Sequence, residues 1–209
     1  MYANAHAYSY ICIALMSNKR LSYLITIIAE NGDEQAFDEL FRIYYPALLS
    51  YTFSLIKDKQ DAEEICLDVM FKLWQNRKVL PTIKNLSHYL YIAVKHAAIS
   101  LMRTKGYKAL QMKIGLEEAG ESFIYELSNH ELRMINREVL DQINIVINTL
   151  PSRCRLIFKL IKEDGLKYAE VAQLLEISVK TVENQMTIAM KKLSLVIEKL
   201  MKEQKKDIS

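Results

Sequence analysis

Residues Gly165–Leu193 read GLKYAEVAQLLEISVKTVENQMTIAMKKL, and their apolar spacing resolves into two short amphipathic helices around a tight turn. In the first, Tyr168, Ala172 and Leu175 recur at the four-then-three interval of one helical face, which Val171 and Leu174 widen. Ala172 is small enough to let a second helix approach. Glu176, Ile177 and Ser178 form the turn, with Ile177 plugging the corner and Ser178 expected as the N-cap of the next helix. Val182, Met186, Ala189 and Leu193 carry the rhythm onward, leaving Lys180, Thr181, Glu183, Asn184, Gln185, Thr187 and Lys191 on the other faces. Short polar side chains at the start of such a helix suit the edges of bases in a major groove: Asn and Gln match adenine, Lys matches guanine or phosphate. Any antiparallel helix pair has one apolar and one polar side, so the flanking sequence must carry the distinction.

Composition narrows the field. The chain has 209 residues, of which 51% are hydrophobic, enough for one domain or two small ones with cores of their own. Lys and Arg number 28 against 25 Asp and Glu, a net charge of +3 that argues little by itself. Charge is distributed by segment: 12 basic against 8 acidic residues in 151–209, 5 against 7 in 104–150, and 11 against 10 before that. Five Gly and three Pro leave few turns, and long runs lack period-two alternation, so the expected class is all-α. Cys12, Cys66 and Cys154 are odd in number and far apart, which disfavours disulfide and zinc frameworks and makes them small apolar fillers. His88 and His96 have no partnering carboxylate motif and read as surface or groove residues. No Gly-rich phosphate loop, metal-ligand spacing or nucleophile motif is present, so neither catalysis nor a metal or other cofactor is expected.

From its start, MYANAHAYSYICIALM lacks a basic leader and has too short an apolar run for a signal peptide or a membrane span. Residues 1–20 are read as an extension, with Met16 an alternative start and a partner-packing helix the rival reading. Asp33 is a plausible N-cap for a helix over Glu34–Leu55 whose bulky face carries Phe37, Leu40, Phe41, Tyr44, Leu48 and Phe53; Pro46 would ordinarily kink it. A helix over Asp61–Gln75 has acidic residues at its N-terminus and Lys72 near its end, matching the macrodipole. Its inner stripe is Ala62, Ile65, Val69 and Leu73; Glu64, Asp68 and Phe71 lie off it. After a polar loop with Pro81, a helix from about Ser87 to Arg103 places Leu90, Val94, Ala97 and Leu101 inside and His88, Tyr91, Lys95, Ala98 and Met102 outside. An exposed aromatic among cations can stack on an unpaired base. Residues 106–131 lack a sustained apolar stripe and read as a linker, and from Leu132 the rhythm resumes through Ile135, Val139, Ile143, Ile147 and Leu150.

The block from Leu150, with Pro151, Arg155, Phe158, Gly165, Leu166, Tyr168, Glu170, Ala172, Leu175, Ile177, Ser178, Thr181, Val182 and Glu183 in register, resembles the promoter-reading C-terminal domain of bacterial sigma factors, especially the extracytoplasmic-function group of the sigma-70 superfamily. AFDELFRIYYPALLSYTFSLIKD and DAEEICLDVMFKLWQ are similar to two helices of that family's N-terminal domain. The resemblance spans roughly residues 20 to 200. It implies that Asp61, Glu64, Asp68 and Phe71 face the clamp helices of core RNA polymerase. It also implies that the loop and helix carrying Lys84, Asn85, His88, Tyr91, Lys95, His96 and Arg103 capture a flipped single-stranded base of the minus-10 element. The Lys180–Lys191 face would read duplex DNA at the minus-35 element. Relatives often carry Arg-Asn and a further Asn where this chain has Lys95-His96 and Ser100, and basic residues where it has Gln185, Ile188 and Met190.

The expectation is therefore an all-α chain of two small helical domains, 21–105 and 132–202, joined by the 106–131 linker and followed by a 203–209 tail. Its partners would be core RNA polymerase, promoter DNA and, by family inference, an anti-sigma factor; it would act in the cytoplasm without stable membrane insertion. The alternative is a free-standing helix-turn-helix regulator, against which no alternating βα receiver pattern appears.

Overall fold

The computed structural model describes residues 18–105 and 145–206; the N-terminal extension, the linker and most of the helix expected from Leu132 lie outside these. The described residues form helices and turns only. In the N-terminal half these are α1 (Asn18–Asn31), α2 (Glu34–Ile56), α3 (Lys59–Gln75), a 3-10 segment (Arg77–Thr82) and α4 (Leu86–Thr104). Thus α1 already begins ahead of the expected boundary at residue 21. The starts of three helices are set by side-chain caps, each satisfying a backbone N–H that the first turn leaves orphaned. Asp33 accepts from Ala36 N at 2.8 Å, Asp58 from Asp61 N at 3.0 Å, and Asn85 from His88 N at 3.1 Å. Gly32 makes the α1–α2 turn with φ +63°, and the Arg77 side chain packs so close that a Cβ there would lie 3.2 Å from its Nε.

The α2, α3 and α4 helices pack on one another with Leu40, Leu48, Met70, Leu90 and Val94 fully buried between them. Burying each such side chain contributes on the order of 1.5–3 kcal/mol. Pro46 sits inside α2, which continues through it. Cys66 is buried as a filler, its thiol 3.4 Å from Thr52 Oγ1, and burial pushes that thiol up to about 12.

In the C-terminal half, residues 145–148 form a helical turn that leads to α5 (Ser152–Lys162), α6 (Tyr168–Leu175) and α7 (Val179–Lys206). Val171, Leu174, Val182, Met186, Ala189 and Leu193 are buried against Ile157 and Leu160 of α5, as the spacing requires. The α6–α7 turn takes a left-handed step at Glu176, φ 54°, and Ile177 N returns to Ala172 O at 3.0 Å. Ser178 Oγ accepts from Thr181 N at 3.0 Å, the N-cap expected there. Tyr168 departs from expectation: at the first position of α6 it is exposed, and Leu166 just ahead of the helix fills the core instead.

The larger correction concerns α4. Its buried stripe runs through Leu90, Tyr91, Val94, Ala98 and Met102, whereas Ala97 and Leu101 are only half-buried. The stripe is rotated because α4 is covered on two sides, by α2 and α3 on one and by α6 with its preceding loop on the other.

Candidate functional site

The polar face of α7 is presented by the short turn that packs it across α6. Lys180, Glu183, Asn184, Thr187 and Lys191 are exposed, whereas Thr181 and Gln185 are half-buried. Thr181 is drawn back by the cap, its hydroxyl 2.8 Å from Ser178 Oγ, and the Gln185 carbonyl accepts from the buried Cys154 thiol at 3.2 Å. Lys180 Nζ pairs with Glu183 at 3.1 Å, an exposed i,i+3 pair worth a few tenths of a kcal/mol, roughly 0.2–0.5. A base or phosphate can outcompete so weak a bond. Asn184, Thr187 and Lys191 thus form the accessible centre of the face, and exposed Ile188 and Met190 flank it.

A second exposed face lies on α3. Glu64, Asp68 and Phe71 project outward, and Phe71 is 58% exposed. Leu67 joins them at 50% exposure; an apolar residue off the buried stripe was the signal for it in the sequence. Behind Phe71 a groove of about 400 Å³ is lined by Phe37, Phe41, Met70 and Trp74. Trp74 is held by the Arg77 guanidinium 4.9 Å from its ring centroid and by Phe37 at 5.0 Å. Asp61 does not belong to this face. It is buried in the first turn of α3, where Lys105 Nζ contacts both of its carboxylate oxygens at 2.7 Å.

The residues expected at the minus-10 element divide into two groups. Lys84, His96 and Arg103 are exposed. His96 and Arg103 share a stripe with Tyr89, seven residues before His96 and 47% exposed, an aromatic the sequence reading passed over. Asn85, Tyr91 and Lys95 instead face the C-terminal half. Tyr91 is 3% exposed; its O–H donates to Asp164 Oδ2 at 2.7 Å and its ring meets Tyr51 edge-on at 5.1 Å. Lys95 Nζ donates to the Leu174 carbonyl at 2.8 Å and to Glu176 Oε1 at 2.6 Å, and Asn85 Nδ2 donates to Glu170 Oε2 at 2.8 Å. His88 is half-buried, with no hydrogen-bond partner for its buried Nε2. Tyr91 is therefore not the exposed stacking platform the helical wheel suggested: the C-terminal half covers that flank.

The Asp164 carboxyl, buried beside Tyr91, is pushed up to about 7 by that burial, opposed by the Tyr91 hydrogen bond and by Lys159. Glu163 is likewise raised to about 7 by burial, with the neighbouring Asp164 adding to it. Lys95 holds the exposed Glu176 carboxyl below its ordinary range. Among the described residues no group of three or more His, Cys, Asp or Glu side chains is arranged to hold a metal ion, and no helix is long and apolar enough to cross a membrane.

One helical module presents a helix-turn-helix and the other an exposed apolar groove, and the helix-turn-helix marks the class as a DNA-binding protein. The model of sigma-70 region 2 matches residues 40–107 and that of sigma-70 region 4 matches residues 140–193, together more than half of the chain. The RNA polymerase sigma-H factor of Pseudomonas aeruginosa is 21% identical over 83% of this chain and 92% of its own length. The ferric citrate uptake sigma factor FecI of Escherichia coli is 24% identical over 70% and 82%. Among solved structures, the sigma factor RpoE of Bartonella quintana, determined with the anti-sigma factor NepR, overlays 78% of this chain and 96% of its own at 20% identity and a TM-score of 0.42. The chain belongs to the sigma-70 family, in its extracytoplasmic-function group. It is a promoter-specific initiation factor for RNA polymerase and not a free-standing regulator, because regions 2 and 4 occur together and in order.

Proposed function

We propose that the α3 face of Glu64, Leu67, Asp68 and Phe71 docks on core polymerase, that the α7 face centred on Asn184 reads the minus-35 duplex, and that α4 handles the unpaired minus-10 strand. The observation that carries the docking assignment is the exposure of Phe71 and Leu67 above an apolar groove, with two exposed carboxylates on the same helix face. Monomeric soluble proteins seldom leave contiguous apolar surface exposed without a partner for it. For the single strand, the exposed line of Tyr89, His96 and Arg103 offers a π-face at one end and, about 21 Å along the helix, a cation at the other, and it is available in this conformation, while Asn85, Tyr91 and Lys95 join it when the two halves separate. Two modest DNA contacts linked through one polymerase gain from effective concentration, so neither half needs a strongly basic surface.

The protein contributes binding and not chemistry: on this reading it is no enzyme, needs no cofactor and works in the cytoplasm beside polymerase and promoter. The family further suggests an anti-sigma factor as its regulator. Charge reversal at Glu64 and Asp68 with Phe71→Ala tests the docking assignment. Core affinity should fall while helicity and melting temperature stay near wild type, since exposed substitutions usually change stability by about 0.5 kcal/mol or less. Unchanged core affinity would remove α3 from the interface.

A further inference from the structure

One exposed isoleucine means little by itself, since scattered apolar surface is ordinary; the place of Ile188 on α7 is what distinguishes it. Ile188 is 44% exposed and lies one turn beyond Asn184, about 40° around the helix axis and about 6 Å along it. Lys191 follows on the same outward strip, while Val182, Met186, Ala189 and Leu193 fill the opposite side. An apolar side chain thus stands on the polar face, between an amide and a cation.

Its neighbours narrow what that strip can meet. Asn184 is exposed and suits adenine, whose N6 and N7 it can take bidentately. The Thr187 hydroxyl is already committed: Oγ1 donates to the Glu183 carbonyl at 2.9 Å, which leaves the Thr187 methyl for base edges. Lys180 pairs with Glu183 at 3.1 Å, and α7 has no Arg to fork onto guanine. Ile188 and the Thr187 methyl therefore make a small apolar step beside an adenine-reading amide. In the major groove the base that presents a methyl is thymine, through its C5. A β-branched side chain in a helix keeps essentially one χ1 rotamer, so Ile188 is ordered before it binds. A cytosine there would aim its N4 amino group at carbon, which cannot accept the hydrogen bond, so the step rejects as well as attracts.

We propose that Ile188, with the Thr187 methyl beside it, reads the C5-methyl of a thymine one or two base pairs from the adenine taken by Asn184. The proposal rests on the assignment of α7 to the minus-35 duplex. The rise of about 6 Å from Asn184 to Ile188 spans about two base pairs at roughly 3.4 Å each. This contact carries sequence where Lys191 does not, because a phosphate is the same under every base.

Replacing thymine by deoxyuridine deletes the methyl and leaves base pairing and the groove's hydrogen-bonding pattern intact. The probe is the duplex that wild-type holoenzyme selects from a randomised upstream element, with each minus-35 thymine on either strand replaced in turn, and competition binding to holoenzyme is the measurement. One replacement should weaken wild-type binding about fourfold, the loss of one buried methyl. Ile188→Ala holoenzyme should bind that pair of duplexes equally. Met190→Ala, at a residue 46% exposed but about 120° around the axis from Asn184, should keep the wild-type ratio. A merely structural role for Ile188 would lower the melting temperature and the affinity for both duplexes together and leave their ratio alone. A selected element without A·T pairs, a wild type indifferent to every deoxyuridine, or an Ile188→Ala variant that keeps the full wild-type ratio would overturn the methyl contact while α7 still read the element. Absence of any selected minus-35 preference would remove α7 from duplex reading, and the methyl contact with it.

Discussion

Tyr91 and Tyr89 stand two residues apart on α4, and burial gives them opposite roles. Tyr91→Ala should open a cavity beneath Asp164 and Tyr51 and cost about 3 kcal/mol or more of stability, as large aromatic truncations do. Tyr89→Ala should leave the melting temperature nearly unchanged and weaken single-strand binding by about 1–3 kcal/mol. Thermal melts paired with binding to pre-melted promoters separate the two; a stability loss at Tyr89 and none at Tyr91 would reverse the assignment. The sequence could not make this division, because it depends on a second surface arriving from some seventy residues away, at Asp164. That same residue predicts a pH dependence. The folded chain keeps protons on Asp164 and Glu163 up to about pH 7, whereas the unfolded chain releases them near the ordinary carboxylate range. The folded state therefore binds more protons between about pH 4 and 7, so the stability they contribute is full below this window and is lost as pH rises through it. Asp164→Asn with Glu163→Gln should flatten that fall in a series of denaturant melts across the window; an unchanged slope would assign the titration elsewhere.

At the scale of single elements, α7 and α3 were the most legible parts of the chain. Val182, Met186, Ala189 and Leu193 are buried where a four-three-four rhythm puts them, and the Ser178 cap follows from one hydroxyl ahead of a periodic run. What periodicity could not resolve is the depth of the flanking residues: Thr181 and Gln185 are half-sunk by the cap and by α5, while Asn184 stands clear. Asn184→Ala should accordingly alter preference at one or two minus-35 positions, where a bidentate amide–adenine pair is worth about 1–3 kcal/mol. Gln185→Ala should do less, and Lys191→Ala should weaken all promoters alike. Promoter selection from a randomised upstream element by holoenzyme carrying each variant reads this out; an unchanged preference with Asn184→Ala would remove it from base reading. On α3 the inner stripe was legible for the same reason as on α7. Asp61 was misplaced because the first turn of a helix carries acidic residues for the macrodipole, and the pattern does not say that Lys105 would come back to claim one.

The whole molecule divides its work between two helical modules, the N-terminal one near neutral and the C-terminal one only modestly basic, so its specificity must come from being held on polymerase more than from electrostatic grip. The two-module, all-helical organisation was readable from composition and periodicity, since few Gly and Pro and no alternating strands leave no other class. The contact of one module on the other was not, because it is built from Tyr91 and Lys95 of α4 and from Asp164 and Glu176 in the turns after α5 and α6, polar residues whose pairing no single element's pattern announces. The most direct test of the account is transcription in vitro by purified core RNA polymerase supplied with this chain and a library of randomised promoters. RNA should start at discrete sites that share a common pair of upstream elements, above the background of core alone. No initiation above that background, with the chain folded and bound to core, would contradict it.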